Sequence, residues 1–378
     1  MAPKEHGQST SEVRKGYQLE PAQLEPFLQK NIAGFAVPVK VSQFKLGQSN
    51  PTYLLADANG KRYVLRKKPA GALMSSTAHA VEREFRILKA LGEKSNVPVP
   101  KVYTLCEDSS VIGTPFYVME FLEGRIFSDI TLKKLPFEER RHCWISAIDT
   151  LAKLHKVDYV SIGLESYGKP SGFYSRQITS LSKVSAVQAA TKSAEGVEVG
   201  PIAGIDELTS WLKKYEVKDS TSIVHGDYKI DNLVFHPTEP RVIGILDWEL
   251  STIGHPYSDL ANLVNPYYIP HGDSNNPFGG LKGIPDKDLP IPPVNQLLER
   301  YCQQTSRPFP IENWMFCIAF SFFRLSVILH GIKARVARGQ ASSAEATFYA
   351  ALVDTVAGLA IGIAREEEQK NANTKSKL

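Results

Sequence analysis

The apolar and polar positions of Val39 to Leu46, Thr52 to Ala56 and Arg62 to Arg66, short runs set off by turn residues, predict three short strands. Asn59-Gly60 between the last two is a strong hairpin dipeptide, and Gly47-Gln48-Ser49-Asn50 predicts the turn between the first two. From His79 to Leu91 the pattern becomes helical. Val81, Phe85, Leu88 and Leu91 recur at helical spacing, with Glu84 beside that stripe and Glu82 further round. Two more strands, Val102 to Cys106 and Phe116 to Phe121, follow Pro98-Val99-Pro100. From Pro136 onward the pattern is mainly helical, over Glu138 to Val157, Ile205 to Tyr215, 294 to 304, 311 to 338 and 342 to 366. Residues 265 to 293, rich in Pro, Gly and Asn, interrupt it as a long irregular insertion. These elements predict an α+β fold: a small antiparallel sheet as an N-lobe over 17–122 and a mainly helical C-lobe over 123–366. Disordered tails are expected at 1–16 and 367–378.

Within the helical part lies a segment of a different kind, VHGDYKIDNLVFHPTEPRVIGILDWELSTIGHPYSDLAN, residues 224 to 262. Asn232 follows Asp227 by five residues, and two apolar runs, Leu233-Val234-Phe235 and Val242-Ile243-Gly244-Ile245-Leu246, lie between Asn232 and Asp247. His236-Pro237-Thr238-Glu239-Pro240 separates the runs as a hairpin turn, which returns Asp247 to the neighbourhood of Asn232. Phosphoryl transfer needs this set. One carboxylate orients the attacking hydroxyl and accepts its proton, while an Asn and a second Asp hold magnesium ions on the nucleotide phosphates. Asp227 takes the first role and Asn232 and Asp247 the second; Lys229, two residues after Asp227, resembles the Lys that touches the transferring phosphate in protein kinases. A hairpin with a few solvated acids is the alternative, disfavoured because loop, hairpin and second acid arrive in register.

His225-Gly226-Asp227 and Asp247-Trp248-Glu249 resemble the aminoglycoside phosphotransferase and choline kinase superfamily. Gly47 to Leu54, Tyr63 to Pro69 and Asp247 to Pro256 resemble one branch of it, the kinase-like half of certain acyl-CoA dehydrogenase fusion proteins. The resemblance runs from about Phe44 to about Ala350 and implies a protein-kinase-like fold, ATP and Mg²⁺ as cofactors and phosphorylation of a 4-hydroxyacyl-CoA. It places Gly47, Ser49 and Asn50 over the nucleotide phosphates and Glu84 as the helix partner of a phosphate-gripping strand residue. Backbone groups near Glu120 to Leu122 fall at the adenine edge, and Asp259 becomes a brace for the catalytic loop. One position departs from the kinase pattern: Arg66 stands where a Lys is usual. A guanidinium can clamp phosphate bidentately, so the role can pass to Arg66, with Lys67 and Lys68 as alternatives. His155, in Leu151-Ala152-Lys153-Leu154-His155, is expected to be structural.

The chain has 378 residues, 43% of them hydrophobic, enough for one large core or two lobes. A net charge of +4 argues against nucleic acid or a membrane surface as partner. Trp314 to Ile332 is apolar enough to suggest a membrane span, but Arg324 and His330 interrupt it, so a buried helix is expected. Cys106, Cys143, Cys302 and Cys317 lack zinc-site or CxxC spacing and are expected as reduced core thiols. The polar first 16 residues lack the apolar run of a signal peptide. The sequence ends Ser376-Lys377-Leu378, a peroxisomal import tripeptide read by a receptor through a free terminal carboxylate.

The favoured acceptor is therefore the hydroxyl of a hydroxyacyl-CoA in fatty-acid catabolism. No flavin-binding dehydrogenase pattern lies within these residues, so a downstream elimination is expected to need a separate protein. An amino-alcohol or aminoglycoside kinase is the first alternative and would need an acidic pocket for its cation. A catalytically silent binding module is the second; Arg66 favours it, and the intact Asp227, Asn232 and Asp247 oppose it.

Overall fold

The computed structural model describes residues 10–14, 17–44, 50–69, 80–272, 280–341 and 345–375. In chain order its strands are β1 (Thr10–Ser11), β2 (Lys40–Phe44), β3 (Thr52–Ala56), β4 (Arg62–Lys67), β5 (Val102–Cys106), β6 (Phe116–Glu120), β7 (Ser222–Val224), β8 (Leu233–Phe235), β9 (Val242–Ile245) and β10 (Thr252–Gly254). The α-helices are α1 (Pro21–Asn31), α2 (Val81–Lys94), α3 (Phe137–Lys156), α4 (Phe173–Ala189), α5 (Ile205–Lys214), α6 (Tyr257–Val264), α7 (Val294–Thr305), α8 (Trp314–Ala337), α9 (Ala346–Ala351) and α10 (Val353–Lys375). The chain divides into two compact units. Met1–Gly168, His225–Thr252 and Pro290–Pro292 form the first; Lys169–Val224, Ile253–Leu289 and Pro293–Leu378 form the second.

The first unit is built on a six-stranded sheet ordered β1-β2-β3-β4-β6-β5, with antiparallel neighbours. The β3–β4 turn closes for identifiable reasons. Asp57 accepts the N–H groups of Asn59 (3.0 Å) and Lys61 (2.8 Å) on its carboxylate, and Gly60 takes the positive φ of +81° that the turn requires. Alternation then sends Tyr53, Leu55, Tyr63 and Leu65 into one core with Leu24, Leu28 and Ile32 of the α1 region. Phe27 meets Phe116 edge-on at 5.3 Å between ring centroids, and Phe35 lies 5.2 Å from Tyr63. Helix α1 carries this stripe at helical spacing, but Pro26 inside it is a breaker signal that hides it from sequence reading.

Strand β1 falls inside the stretch expected as an N-terminal tail; Thr10 and Ser11 pair with Phe44 and Gln43 at the edge β2 presents. On α2 the buried stripe is Val81, Glu84, Ile87, Leu88 and Leu91, so Glu84 lies within it. Phe85, expected on that stripe, is half-buried, its ring 6.3 Å from Tyr117.

Helix α3 buries Trp144, Ala147, Ile148 and Leu151 and supports the β8–β9 hairpin. Tyr228 donates its hydroxyl to the Ala147 carbonyl at 2.7 Å, and the Val242 N–H donates to Ser146 Oγ at 2.9 Å. Reciprocal backbone bonds join Arg125 to Phe235 (2.7 and 2.8 Å), and the Ile245 N–H donates to the Pro98 carbonyl at 3.0 Å. These links place the β8–β9 hairpin in the same compact unit as the sheet.

In the second unit α8 packs against α4, α6, α9 and α10. Its length and composition would suit a membrane span, yet 72% of its apolar window is buried inside the protein; Ala346–Asn373 passes the same test with 44% buried. The ring of Tyr174 sits 4.8 Å from both Phe316 and Phe320. His330, read as an interruption of the apolar run, is fully buried and donates Nε2–H to the Gly200 carbonyl at 3.0 Å. Helix α10 continues to Lys375, into the stretch expected as a C-terminal tail. Along α10, Arg365 makes a bidentate pair with Glu207 (2.7 Å twice), and Lys214 pairs with Glu368 at 3.0 Å. Ser376, Lys377 and Leu378 lie outside the described residues.

Candidate active site

The site belongs to the first unit and is assembled around His225. Its Nε2–H donates to the Leu246 carbonyl at 2.8 Å, and Nδ1 accepts the N–H of Asp227 at 3.1 Å. Because Nδ1 accepts, this ring is the neutral Nε2–H tautomer. It is fully buried, edge-on to Trp248 at 4.8 Å. Gly226 between them has φ +89°, and a Cβ there would stand 2.5 Å from the Leu250 carbonyl oxygen. Steric exclusion therefore accounts for glycine at the middle position of His225-Gly226-Asp227.

Asn232 ends the short 3₁₀ turn Ile230–Asn232 and directs its amide NH₂ at both the carbonyl (2.8 Å) and the carboxylate Oδ2 (3.0 Å) of Asp227. With the nitrogen so committed, Asn232 Oδ1 is the atom left to offer a cation. Lys229 Nζ lies 3.4 Å from Asp227 Oδ2 and 3.4 Å from Asp231 Oδ2. Burial alone would lower the Lys229 ammonium, but the two carboxylates hold it above its ordinary value. Burial pushes the Asp231 carboxyl up, against the pull of Lys229.

The β8–β9 hairpin returns the chain to Asp247. The Leu246 N–H donates to the Asn232 carbonyl at 2.8 Å, so the two expected cation ligands are tied by adjacent backbone. Asp247 adopts φ +65°, a left-handed conformation that Asp tolerates better than most residues and that recurs at functional sites. Arg66 Nη2 donates to Asp247 Oδ1 at 2.7 Å and to Glu249 Oε2 at 3.1 Å. Burial would raise the Asp247 carboxyl, and the Arg66 guanidinium beside it brings it below its ordinary value.

Glu84 is almost wholly buried and anchors the far side. It accepts from Asn50 Nδ2 at 2.8 Å and from the Tyr117 hydroxyl at 3.0 Å, with Arg66 Nε 3.2 Å from its Oε2. Burial raises the Glu84 carboxyl, and Arg66 opposes that rise. Glu84, not Glu82, is thus the helix carboxylate beside the strand cation. Arg66 is that cation; strand alternation sends Lys67 to the opposite face, where burial holds its ammonium below its ordinary value.

The remaining expected residues divide. Gly47 and Ser49 lie outside the described residues, and Asn50 uses its side chain on Glu84. Glu120 donates its N–H to the Lys101 carbonyl at 2.7 Å and accepts the Lys101 N–H on its carboxylate at 3.2 Å, closing the end of the β5–β6 pair. Leu122 covers Gly244, where a Cβ would meet its Cδ1 at 2.1 Å. Tyr117 and Glu249 were missed. Neither carries a spacing signal, although Glu249 stands two residues after Asp247.

The donor set suits a hard divalent cation. Asp247 and Asn232 supply carboxylate and amide oxygens, and Mg²⁺ is commonly held by one or two such ligands together with nucleotide phosphates. Among the described residues no cluster of three or more His, Cys, Asp or Glu forms a cage.

A sheet-based first unit in which Asp227, the Asn232–Asp247 pair and a strand cation facing a helix glutamate come together is that of a kinase-like, small-molecule phosphotransferase. A profile described as "Phosphotransferase enzyme family" matches residues 40–282, and the chain belongs to that family. A solved Ralstonia eutropha structure, provisionally named an aminoglycoside phosphotransferase, is 39% identical with a TM-score of 0.79, covering 92% of this chain and 99% of its own. An Arabidopsis thaliana protein provisionally named acyl-CoA dehydrogenase IBR3 is 43% identical over 354 residues, 90% of this chain. The Mus musculus acyl-CoA dehydrogenase family member 10 is 41% identical over 364 residues, 95% of this chain. This chain spans only 42% and 32% of those two relatives. Choline kinase from Cryptosporidium parvum shares the fold, with 14% identity and a TM-score of 0.57 over 95% of this chain.

Proposed function

We propose that this chain transfers the γ-phosphoryl group of Mg·ATP to the hydroxyl of a hydroxyacyl-CoA. One observation carries the phosphotransfer reading: Asp227, Asn232, Asp247 and Arg66 converge within one compact unit, joined by bonds of 2.7 to 3.0 Å. Asp227 accepts the proton of the acceptor hydroxyl, Lys229 balances charge on the transferring group, and Asn232 and Asp247 hold the metal. Arg66 grips the phosphates, and the backbone near Leu122 meets the adenine edge.

One observation supports the acceptor: the relatives at 41–43% identity bear acyl-CoA dehydrogenase names. The name of the 39% identical Ralstonia eutropha protein favours a second reading, phosphorylation of an aminoglycoside-like alcohol.

ADP release measured across hydroxyacyl-CoAs, choline and aminoglycosides decides between them. Turnover confined to the CoA esters supports the first reading, turnover confined to the cationic alcohols the second. No ADP release with any acceptor sinks both.

We further propose that Ser376-Lys377-Leu378 directs import into peroxisomes where Leu378 bears the free carboxylate. An N-terminally tagged protein should be peroxisomal and become cytosolic when those three residues are removed. Import that survives the deletion rules out this address.

A further inference from the structure

The guanidinium of Arg66 is shared by three carboxylates: Glu84 on α2, and Asp247 and Glu249 on the turn after β9. A strand cation, a helix Glu and the Asp are expected in a kinase site, but the third acid stands where protein kinases carry glycine. Its position is fixed by the turn. Trp248 donates Nε1–H to the Ile245 carbonyl at 2.9 Å, Ser251 Oγ donates to the Trp248 carbonyl at 2.6 Å, and the Tyr167 hydroxyl lies 2.7 Å from Ser251 Oγ.

We propose that Glu249 is a positioning residue that keeps Arg66 in the nucleotide site when Asp247 turns to the metal ion. Arg66 and Glu249 then form a matched pair standing in for the Lys and Gly of protein kinases. This rests on the Mg·nucleotide reading given above.

The argument is one of competing partners. Asp247 Oδ1 holds Arg66 at 2.7 Å, and a divalent cation at Asp247 both claims that carboxylate and repels the guanidinium. The remaining hold from Glu84 is an ion pair without a directional hydrogen bond, because Arg66 Nε is 3.2 Å from Oε2 yet is a buried donor with no aligned acceptor. Glu249 bonds the same Nη2 that Asp247 bonds, at 3.1 Å, so it restrains the group the metal would free. A guanidinium presents donors in several directions and serves Glu84 on one side and Glu249 on the other. A lysine ammonium is a single point charge, so a glutamate at 249 has full effect only with arginine at 66.

The test is calorimetric titration of full-length wild type, E249Q and R66K with AMP-PNP, in Mg²⁺ and in EDTA. E249Q should weaken Mg·AMP-PNP binding about tenfold, the worth of one charge-assisted hydrogen bond, and leave metal-free binding within about twofold. E249D should recover part of the loss. The R66K/E249Q double variant should bind no worse than R66K. Equal loss with and without metal, or additive losses in the double variant, would overturn the inference. Wild type that fails to bind Mg·AMP-PNP would overturn the nucleotide-site reading itself, and the inference with it. A melting temperature for E249Q several degrees below wild type, with binding unchanged, would make Glu249 a folding residue and equally overturn it.

Discussion

Asn232 grips Asp227 twice, through its carbonyl at 2.8 Å and its carboxylate at 3.0 Å. The second expected metal ligand therefore also sets the orientation of the expected base. A substitution at either position acts on both, and these two residues form one unit in any kinetic dissection.

The base is tested by Asp227→Asn. The variant keeps a side-chain oxygen for the Asn232 amide, so on the proposed reading the loss falls on the acceptor hydroxyl: kcat should fall by ~10²–10⁴-fold while nucleotide affinity stays near wild type. Turnover close to wild type would remove Asp227 from the chemistry.

Asp247→Ala tests the metal. A hard cation loses its only carboxylate in the pair, so affinity for Mg·nucleotide should drop and the magnesium concentration needed for activity should rise. Unchanged magnesium dependence of turnover and unchanged Mg·nucleotide affinity would make the hairpin purely structural.

Gly226→Ala should destabilise the protein without altering any functional side chain. Its φ of +89° is unfavourable to alanine, and the added Cβ would meet the Leu250 carbonyl oxygen at 2.5 Å. The expected loss is about 1–3 kcal/mol, visible as a lower midpoint in thermal or urea unfolding. A wild-type midpoint would show that the turn can shift to make room.

The thiols give a pH prediction. Burial pushes Cys143 and Cys317 up to about 12 and Cys302 to about 11, and raises Cys106 as well. The thiolate is the reactive form, and a raised value keeps each group protonated through the neutral and mildly alkaline range. Native protein at pH 8 should react very slowly with a thiol reagent, and unfolded protein should titrate four thiols. Rapid native labelling at pH 8 would contradict the buried positions.

Sequence pattern carried β2 to β6, α2, α3, α5 and the β8–β9 hairpin because their signals are local: short apolar runs between turn residues, period 3.6, a turn dipeptide and an interval of five residues. It failed where local chemistry points away from the final structure. Helix α1 contains Pro26, and α4 is rich in Ser and Thr with only Phe173, Tyr174, Ile178 and Ser185 buried, so tertiary packing sustains what propensity does not. The final expected helix, 342 to 366, is broken between Ala351 and Val353 and runs on to Lys375 instead. At the site, the choice among Arg66, Lys67 and Lys68 was open in sequence, since only strand orientation separates them. The contacts of Glu249 and Tyr117 were not legible because each lies with a partner far along the chain: Arg66 is 183 residues from Glu249.

His225 has a consequence for how this site tolerates change. Its ring touches the backbone of Asp227 at one nitrogen and the backbone just before Asp247 at the other. An imidazole cannot stretch, so the gap between the expected base and the expected metal ligand is gauged by the width of one aromatic ring. Segments elsewhere in the chain can change while that internal ruler holds the backbones at Asp227 and Asp247 at one spacing.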